Sequence, residues 1–362
     1  MSPLASPVEL AAVLRKEAHH SVLRARNGVQ YVAGQRPPRV EPTPRELVWR
    51  QDKVRLWRYR SDTVRYHPPV LLFLGLVSRS FVLDLLPGNS FVARLRDAGF
   101  DVFLVDWGEP DELEAENTFE TYALDYLPRA IAAARQEADA AEITLLAYCM
   151  GAMFGLAMLA SRRRSQVRSL VMLAPPVDFD AMSGLMAPLR DGSLVPDDLI
   201  DERGLVPADV VRRFFQVRKP TSDVTQYVSL WQNLWNDQAL EAQAAMARWL
   251  RDHLPFPGAA FRQIVQTFLR ENALAADGLR LRGRRVSLGD IEVPTLSVIA
   301  ERDDIVPPAA SCGLPGLLAP GRCQEIRIPA GHVGLVVGGT AAKRTMPAIT
   351  GWLEQHSDKG VR

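Results

Sequence analysis

Short, uninterrupted runs of apolar residues alternate with helix-like segments along much of this chain, and this alternation limits the possible folds most. A strand buried on both faces is typically a continuous apolar run, whereas a half-exposed strand alternates between apolar and polar residues. The runs of this kind are PPVLLFLG (68–75), DVFLVDWG (101–108), EITLLAYC (142–149), VRSLVMLAP (167–175), VPTLSVIA (293–300) and CQEIRIP (323–329). Helical patterns separate most of these runs, so we expect a parallel sheet flanked by helices.

The alternation stops between residues 178 and 290, where the sequence is helical and irregular with several Pro and Trp residues. We therefore predict four segments: an N-terminal helix and linker (1–45), the first part of the core (46–177), an inserted cap (178–290) and the second part of the core (291–362). A helical insertion after the sixth strand of such a sheet is typical of the α/β-hydrolase fold, a mostly parallel sheet with a cap over its site.

Composition excludes several other classes of protein. The 43 Lys and Arg residues balance 42 Asp and Glu residues, so no overall charge favours nucleic acid or an anionic membrane. No apolar run reaches the roughly 18 residues of a membrane span, and the first residues lack the order of a signal peptide. The three cysteines form no CxxC pair, which predicts neither a disulfide framework nor a metal site and suits the cytoplasm.

A candidate nucleophile lies where the third of these strands meets the next helix, in the sequence A-Y-C-M-G at 147–151. The nucleophile elbow of α/β hydrolases needs small residues two positions on either side of the nucleophile, because the turn is strained and crowded. Here Cys149 replaces the usual serine and Ala147 replaces the first glycine. We predict that Cys149 is the nucleophile; the alternative is an inert cysteine buried in a tight turn.

A cysteine nucleophile needs a base, and in this fold the base follows the nucleophile in the chain. Three histidines do so: His253 in the predicted cap, His332, and His356 in the polar C-terminal tail. His332 lies in a Gly-flanked loop directly after a predicted strand, which is where the fold delivers its base. We therefore predict His332.

The acid that orients this base is expected at the end of the preceding strand, where the sequence E-R-D-D-I-V-P offers two candidates. We favour Asp303 over Asp304, since hydrolase loops of the form D-x-I-V-P place the acid two residues before the isoleucine. Asp178, after the sixth strand, stays open as a rival. Asp106 precedes the nucleophile, which breaks the expected order, and we interpret it as structural.

An oxyanion hole in this fold takes one backbone N–H from the residue after the nucleophile and another from the loop after an earlier strand. The first of these is Met150. The second lies in the loop from Gly75 to Arg79, and we predict the backbone of Val77.

These motifs together resemble those of the polyhydroxyalkanoate synthases, in particular the shorter, two-subunit class III type. The resemblance extends over residues 40–355 and rests on the cysteine box and on the segments LDLLPG, DVFLVDWGEP, WLRDHLPFPG, ERDDIVPP and GHVGLVVGG. Where the family usually has glycine, positions 147 and 152 are alanine, and Asp304 stands where the family usually has histidine.

The resemblance implies an acyltransferase that polymerises 3-hydroxyacyl-CoA into polyester through an acyl thioester on Cys149 and releases CoA. In it, Asp303 would both orient His332 and assist the attacking hydroxyl. It implies no cofactor beyond the CoA thioester substrate, and as partners the growing polyester chain or granule and a second, activating synthase subunit; no residues are assigned to CoA binding. Two alternatives stay open: a cysteine-dependent hydrolase or thioesterase, and a non-catalytic relative associated with granules or with the synthase complex.

Overall fold

The computed structural model describes residues 7–32, 38–162, 166–182, 184–217 and 234–360, and all structural statements below concern these residues. Parts of the predicted linker (33–37) and of the predicted cap (183 and 218–233) lie outside the described residues. Among these residues the main sheet has nine strands, and the eight longest are β1 (Glu46–Gln51), β2 (Val54–Tyr59), β3 (Tyr66–Phe73), β4 (Phe100–Asp106), β5 (Ile143–Tyr148), β6 (Val167–Leu173), β7 (Thr295–Ala300) and β8 (Cys323–Ile328).

The main sheet has the spatial order β1-β2-β4-β3-β5-β6-β7-β8, and a short strand, Asp358–Lys359, pairs with β3. The strands from β4 to β8 in this order are all parallel, whereas β1 and β2 are antiparallel to their neighbours. All six predicted apolar runs are strands of this sheet. Because parallel strands end at the same edge, the loops after β3, β5, β7 and β8 meet at one side of the molecule.

The central strands are buried on both faces, as their continuous apolar sequences predict. Every residue of β5 and β7 is buried. Successive residues point to opposite faces: Leu145 packs in one hydrophobic layer with Phe154, and Leu146 packs in the other with Phe91 and Trp352. These two layers hold the helices against the sheet and fix the strand ends that carry the candidate site.

Helices cover both faces of the sheet, and several lie in the described part of the region between β6 and β7. The α-helices are α1 (Pro7–Val32), α2 (Phe91–Asp97), α3 (Leu127–Glu137), α4 (Met150–Ala160), α5 (Ala187–Asp191), α6 (Ala208–Val217), α7 (Asp237–Arg251), α8 (Gly258–Ile264), α9 (Pro308–Ser311), α10 (Leu314–Leu317), α11 (Gly338–Thr340) and α12 (Met346–Gln355). Three π-helical segments are Thr121–Tyr126, Val265–Arg270 and Ala341–Thr345. Within the described ranges, no helix is both long enough and apolar enough to cross a membrane.

The described residues between β6 and β7 form α5 to α8 and, as strands, only very short ones. Leu205–Val206 pairs with Phe256–Pro257, and Arg280–Leu281 pairs with Arg284–Arg285. No strand of the main sheet comes from this part of the described chain. We use the name cap for residues 178–290, as the sequence predicts.

Candidate active site

Cys149 lies at the junction between β5 and α4 in a backbone conformation that few residues adopt. Its φ is 56° and its ψ is −126°, a strained combination for a residue with a Cβ atom. The Cys149 N–H donates to the Leu173 carbonyl at 2.8 Å, and the Cys149 carbonyl accepts from the Ala152 N–H at 2.9 Å. The thiol is partly buried and forms no disulfide. This is the sharp strand-to-helix turn that the sequence predicts.

Close approach of the end of β3 explains why position 151 is glycine. A Cβ atom at Gly151 would lie 2.9 Å from the Phe73 carbonyl oxygen and 3.0 Å from the Leu74 Cα. Both neighbours are backbone atoms, so they could give way only if β3 moved. Ala147, which pairs with Phe73 across β3 and β5, is fully buried. The elbow therefore depends on small side chains at both positions.

Asp303 and His332 are joined directly. His332 Nδ1 lies 2.6 Å from Asp303 Oδ2, and both side chains are buried. The other carboxylate oxygen, Oδ1, accepts hydrogen bonds from the backbone N–H groups of Ile305 and Val306, each at 2.8 Å. Three hydrogen bonds therefore hold this carboxylate, whereas the side chain of Asp304 is exposed.

A backbone hydrogen bond brings the two loops together. The loop after β7 donates from the Arg302 N–H to the Ala330 carbonyl in the loop after β8 at 2.9 Å. Gly331 leaves room for this contact, because a Cβ atom there would lie 3.3 Å from the Arg302 carbonyl oxygen. The sequence G-H after a strand thus places His332 beside Asp303.

The imidazole of His332 also contacts the thiol of Cys149. Burial by itself would lower the pKa of His332, but the negative charges of Cys149 and Asp303 and their hydrogen bonds to the ring outweigh it and raise this pKa to about 10. Since Nδ1 faces Asp303, Nε2 is the nitrogen left for the thiol. The raised pKa of His332 therefore favours the protonated form of the ring.

Tyr148, which the sequence did not single out, packs against the base. Its ring centroid lies 5.0 Å from that of His332, with the two planes 31° apart. The hydroxyl is buried with no hydrogen-bond partner among the described residues. Burial raises the pKa of Tyr148 well above its usual value, with further contributions from the charges of Cys149 and Asp303. Its ring thus limits how the imidazole can turn.

The loop after β3 lies against the elbow, as an oxyanion hole requires. A Cβ atom at Gly75 would lie 2.8 Å from the Met150 Cβ, so this loop and the start of α4 are in contact. The indole Nε1–H of Trp107 donates to the Leu74 carbonyl at 2.7 Å and supports the start of the loop. The donor roles of Met150 and Val77 stay predictions.

The rival residues have other partners. His253 stacks on Phe215 in the cap, with ring centroids 5.0 Å apart. His356 Nδ1 bonds to the carbonyl of Trp352, on whose ring it also stacks. Asp178 caps a short helical turn and accepts from the side chain of Asn272 at 2.8 Å. Of the candidate residues, only Cys149, His332 and Asp303 form one connected group.

Comparison with known proteins identifies the family of this chain. The family model of the α/β hydrolase fold matches residues 68–338. The poly(3-hydroxyalkanoate) polymerase subunit PhaC of Allochromatium vinosum is 32% identical over 317 residues, which cover 86% of this chain and 89% of that protein. This chain belongs to the poly(3-hydroxyalkanoate) polymerase family.

A second relative and a known structure extend the comparison. The protein of the same name from Haloferax mediterranei is also 32% identical, over 89% of this chain but only 66% of its own length. A thermophilic esterase from Thermogutta terrifontis has the same fold, with a TM-score of 0.50 and 16% identity, and the match covers 87% of this chain and 100% of the esterase. The α/β-hydrolase fold predicted from the sequence is confirmed.

Proposed function

We propose that this chain polymerises 3-hydroxyacyl-CoA into polyester through an acyl thioester on Cys149. The observation that carries the proposal is the connected group of thiol, imidazole and carboxylate, with His332 and Asp303 only 2.6 Å apart at the nucleophile turn. The names of the relatives supply the substrate class. This geometry would suit a hydrolase equally well. The proposal therefore depends on the geometry and on the names of the relatives together.

In the first step, the Cys149 thiolate attacks the thioester carbonyl carbon. The carbonyl π electrons move to oxygen, which the backbone N–H groups of Met150 and Val77 would stabilise. The C–S bond to CoA then breaks, and protonated His332 gives the proton on Nε2 to the leaving sulfur. One thioester replaces another, so the acyl group stays activated and CoA leaves as a thiol.

In the second step, the hydroxyl of another hydroxyacyl unit attacks the acyl thioester. The neutral imidazole of His332 now accepts the hydroxyl proton, an ester bond forms, and the Cys149 thiolate leaves. Asp303 keeps the ring oriented with Nε2 towards the reacting atoms and stabilises its positive charge. We also assign Asp303 the assistance of the attacking hydroxyl, through the same ring.

Transfer to a hydroxyl rather than to water requires a site from which water is kept out. We assign this role to the cap, which contacts the loop after β3. The proposal further places the enzyme in the cytoplasm at the surface of polyester granules, with a second synthase subunit as partner. The word subunit in the names of the relatives supports such a partner.

Mass spectrometry of the intact protein after exposure to 3-hydroxybutyryl-CoA tests the proposal. A mass increase of one or more hydroxybutyryl units on the wild-type chain, absent from Cys149→Ala and retained in Cys312→Ala, is the expected result. Free hydroxy acid without polymer would instead identify a hydrolase or thioesterase. Unchanged polymer formation in cells that carry Cys149→Ala would identify a non-catalytic relative.

A further inference from the structure

The loop Gly75–Arg79, here called the β3 loop, is held from two sides. On one side it contacts the elbow through Gly75 and Met150. On the other side it contacts the end of α7 and the residues that follow, Trp249–Leu254, which belong to the cap. The loop that carries the predicted oxyanion donor Val77 therefore lies between the nucleophile turn and the cap.

Backbone hydrogen bonds form much of the contact with the cap. Ser78 and His253 form an antiparallel β-bridge. The Leu254 N–H donates to the Val77 carbonyl at 3.1 Å. These bonds fix the peptide plane after Val77, so the position of this loop depends on the position of the cap segment.

Arg79 adds side-chain bonds to two different parts of the chain. Its Nε donates to Asp252 Oδ1 in the cap at 3.0 Å, and its Nη2 donates to Glu109 Oε2 at 2.7 Å. Glu109 belongs to the loop after β4 in the core. The Arg79 carbonyl in turn accepts from the indole Nε1–H of Trp249 at 3.1 Å. One residue thus links the β3 loop to the cap and to the neighbouring core loop.

We propose that Arg79, held between Asp252 of the cap and Glu109 of the core, is a positioning residue that fixes the β3 loop for acyl transfer. The inference rests on the proposed function. An oxyanion hole works only if its donors lie about 2.7–3.1 Å from the developing oxyanion, so a small displacement of the loop weakens it. The guanidinium suits this role because its rigid, planar set of donors can serve two carboxylates at once.

The proposal predicts that loss of Arg79 affects two reactions of the Cys149 thiol differently. Acylation by a thioester places negative charge on a carbonyl oxygen and needs the oxyanion hole. Alkylation by iodoacetamide displaces iodide at a saturated carbon, so it needs only the Cys149 thiolate and access to it. Loss of Arg79 should therefore slow acylation while alkylation continues at the normal rate.

The experiment compares Arg79→Gln, Arg79→Lys and wild type, with Arg282→Gln as a matched control. Arg282 also forms an ion pair between cap and core, at 2.6 Å from Asp125, and its hydrogen bonds join it to Glu120 and Asp125 and not to the β3 loop. Peptide-level mass spectrometry follows acylation of Cys149 by 3-hydroxybutyryl-CoA and its alkylation by iodoacetamide. Melting temperatures are recorded for each variant.

We expect Arg79→Gln to lower the acylation rate about 10- to 100-fold, less than the loss of a complete oxyanion donor, with alkylation changed less than twofold. Arg79→Lys should recover part of the loss, and Arg282→Gln should behave as wild type. Acylation and alkylation reduced by the same factor would overturn the inference, because it would indicate general disorder of the site. An acylation rate equal to that of wild type in Arg79→Gln would also overturn the inference. If the wild-type chain forms no acyl-enzyme, either alone or together with its second subunit, the proposed function fails first and the inference falls with it.

Discussion

Replacing Asp303 with asparagine tests the orientation of the base most directly. An amide can keep the two hydrogen bonds that Oδ1 accepts from the backbone N–H groups of Ile305 and Val306, each at 2.8 Å. Its NH2 group then takes the place of Oδ2, 2.6 Å from His332 Nδ1. Two donors cannot face each other there, so Nδ1 must lose its proton. The neutral ring then carries its proton on Nε2, which is the wrong nitrogen for a base that must accept one from Cys149.

The size of this effect depends on how strongly the nucleophile relies on a correctly oriented base. In serine proteases the equivalent change lowers kcat about 10⁴-fold, because the serine hydroxyl depends completely on the base. Here the negative charge of Cys149 also contributes to the raised pKa of His332, and a thiol loses its proton more easily than a hydroxyl. We therefore expect Asp303→Asn to lower the acylation rate about 10²- to 10³-fold.

Rapid-quench mass spectrometry of the Cys149 acyl-enzyme measures this rate, and circular dichroism measures stability. Asp304→Asn is the matched control, since Asp304 is the exposed neighbour in the same loop. Asp303→Asn should melt close to wild type, because the two backbone hydrogen bonds survive and the amide NH2 group can donate to the unprotonated Nδ1. Acylation within twofold of wild type, in a variant that melts normally, would refute the assignment of Asp303 as the orienting acid.

Three further changes have defined outcomes. Gly151→Ala should destabilise the fold by about 1–3 kcal/mol in urea unfolding, since its Cβ would lie 3.0 Å from the Leu74 Cα; an unchanged midpoint would contradict this. Because the folded pKa of His332 is raised to about 10, above its unfolded value of about 6.5, its contribution to stability is complete below pH 6.5 and is lost as pH rises through 10. Melting curves against pH should show this loss in wild type and less of it in Cys149→Ala. Trp107→Phe leaves the buried Leu74 carbonyl without its donor, which should lower the stability by about 1–3 kcal/mol. A melting temperature equal to that of wild type would show that this hydrogen bond does not stabilise the fold.

The sequence predicted those features that depend on local patterns. The buried strands follow from apolar runs such as 142–149 and 293–300, because a strand covered on both faces has no polar side. The nucleophile turn at Cys149 follows from small residues at fixed spacing. The chain enters α3 through a π-helical segment at Thr121–Tyr126, a detail that no local pattern in the sequence indicated.

Contacts between distant parts of the chain were not predictable in the same way. Arg79 and Asp252 are 173 positions apart, and an isolated Arg or Asp in a loop has no pattern that names its partner. Tyr148 appeared only as one more apolar residue of a buried strand, although its ring lies against His332. Such contacts depend on how the cap and the loops pack, which no periodicity in the sequence records.

The two alanines in the cysteine box can be understood from this packing. Of the three box positions where the family favours glycine, only Gly151 would place a Cβ against backbone atoms, at 2.9 Å from the Phe73 carbonyl oxygen. Ala147 and Ala152 are fully buried within the same hydrophobic layer, where each methyl group has apolar neighbours. Glycine is therefore required by the approach of β3 at one position, whereas at the other two an alanine adds apolar contact and reduces the backbone freedom lost on folding.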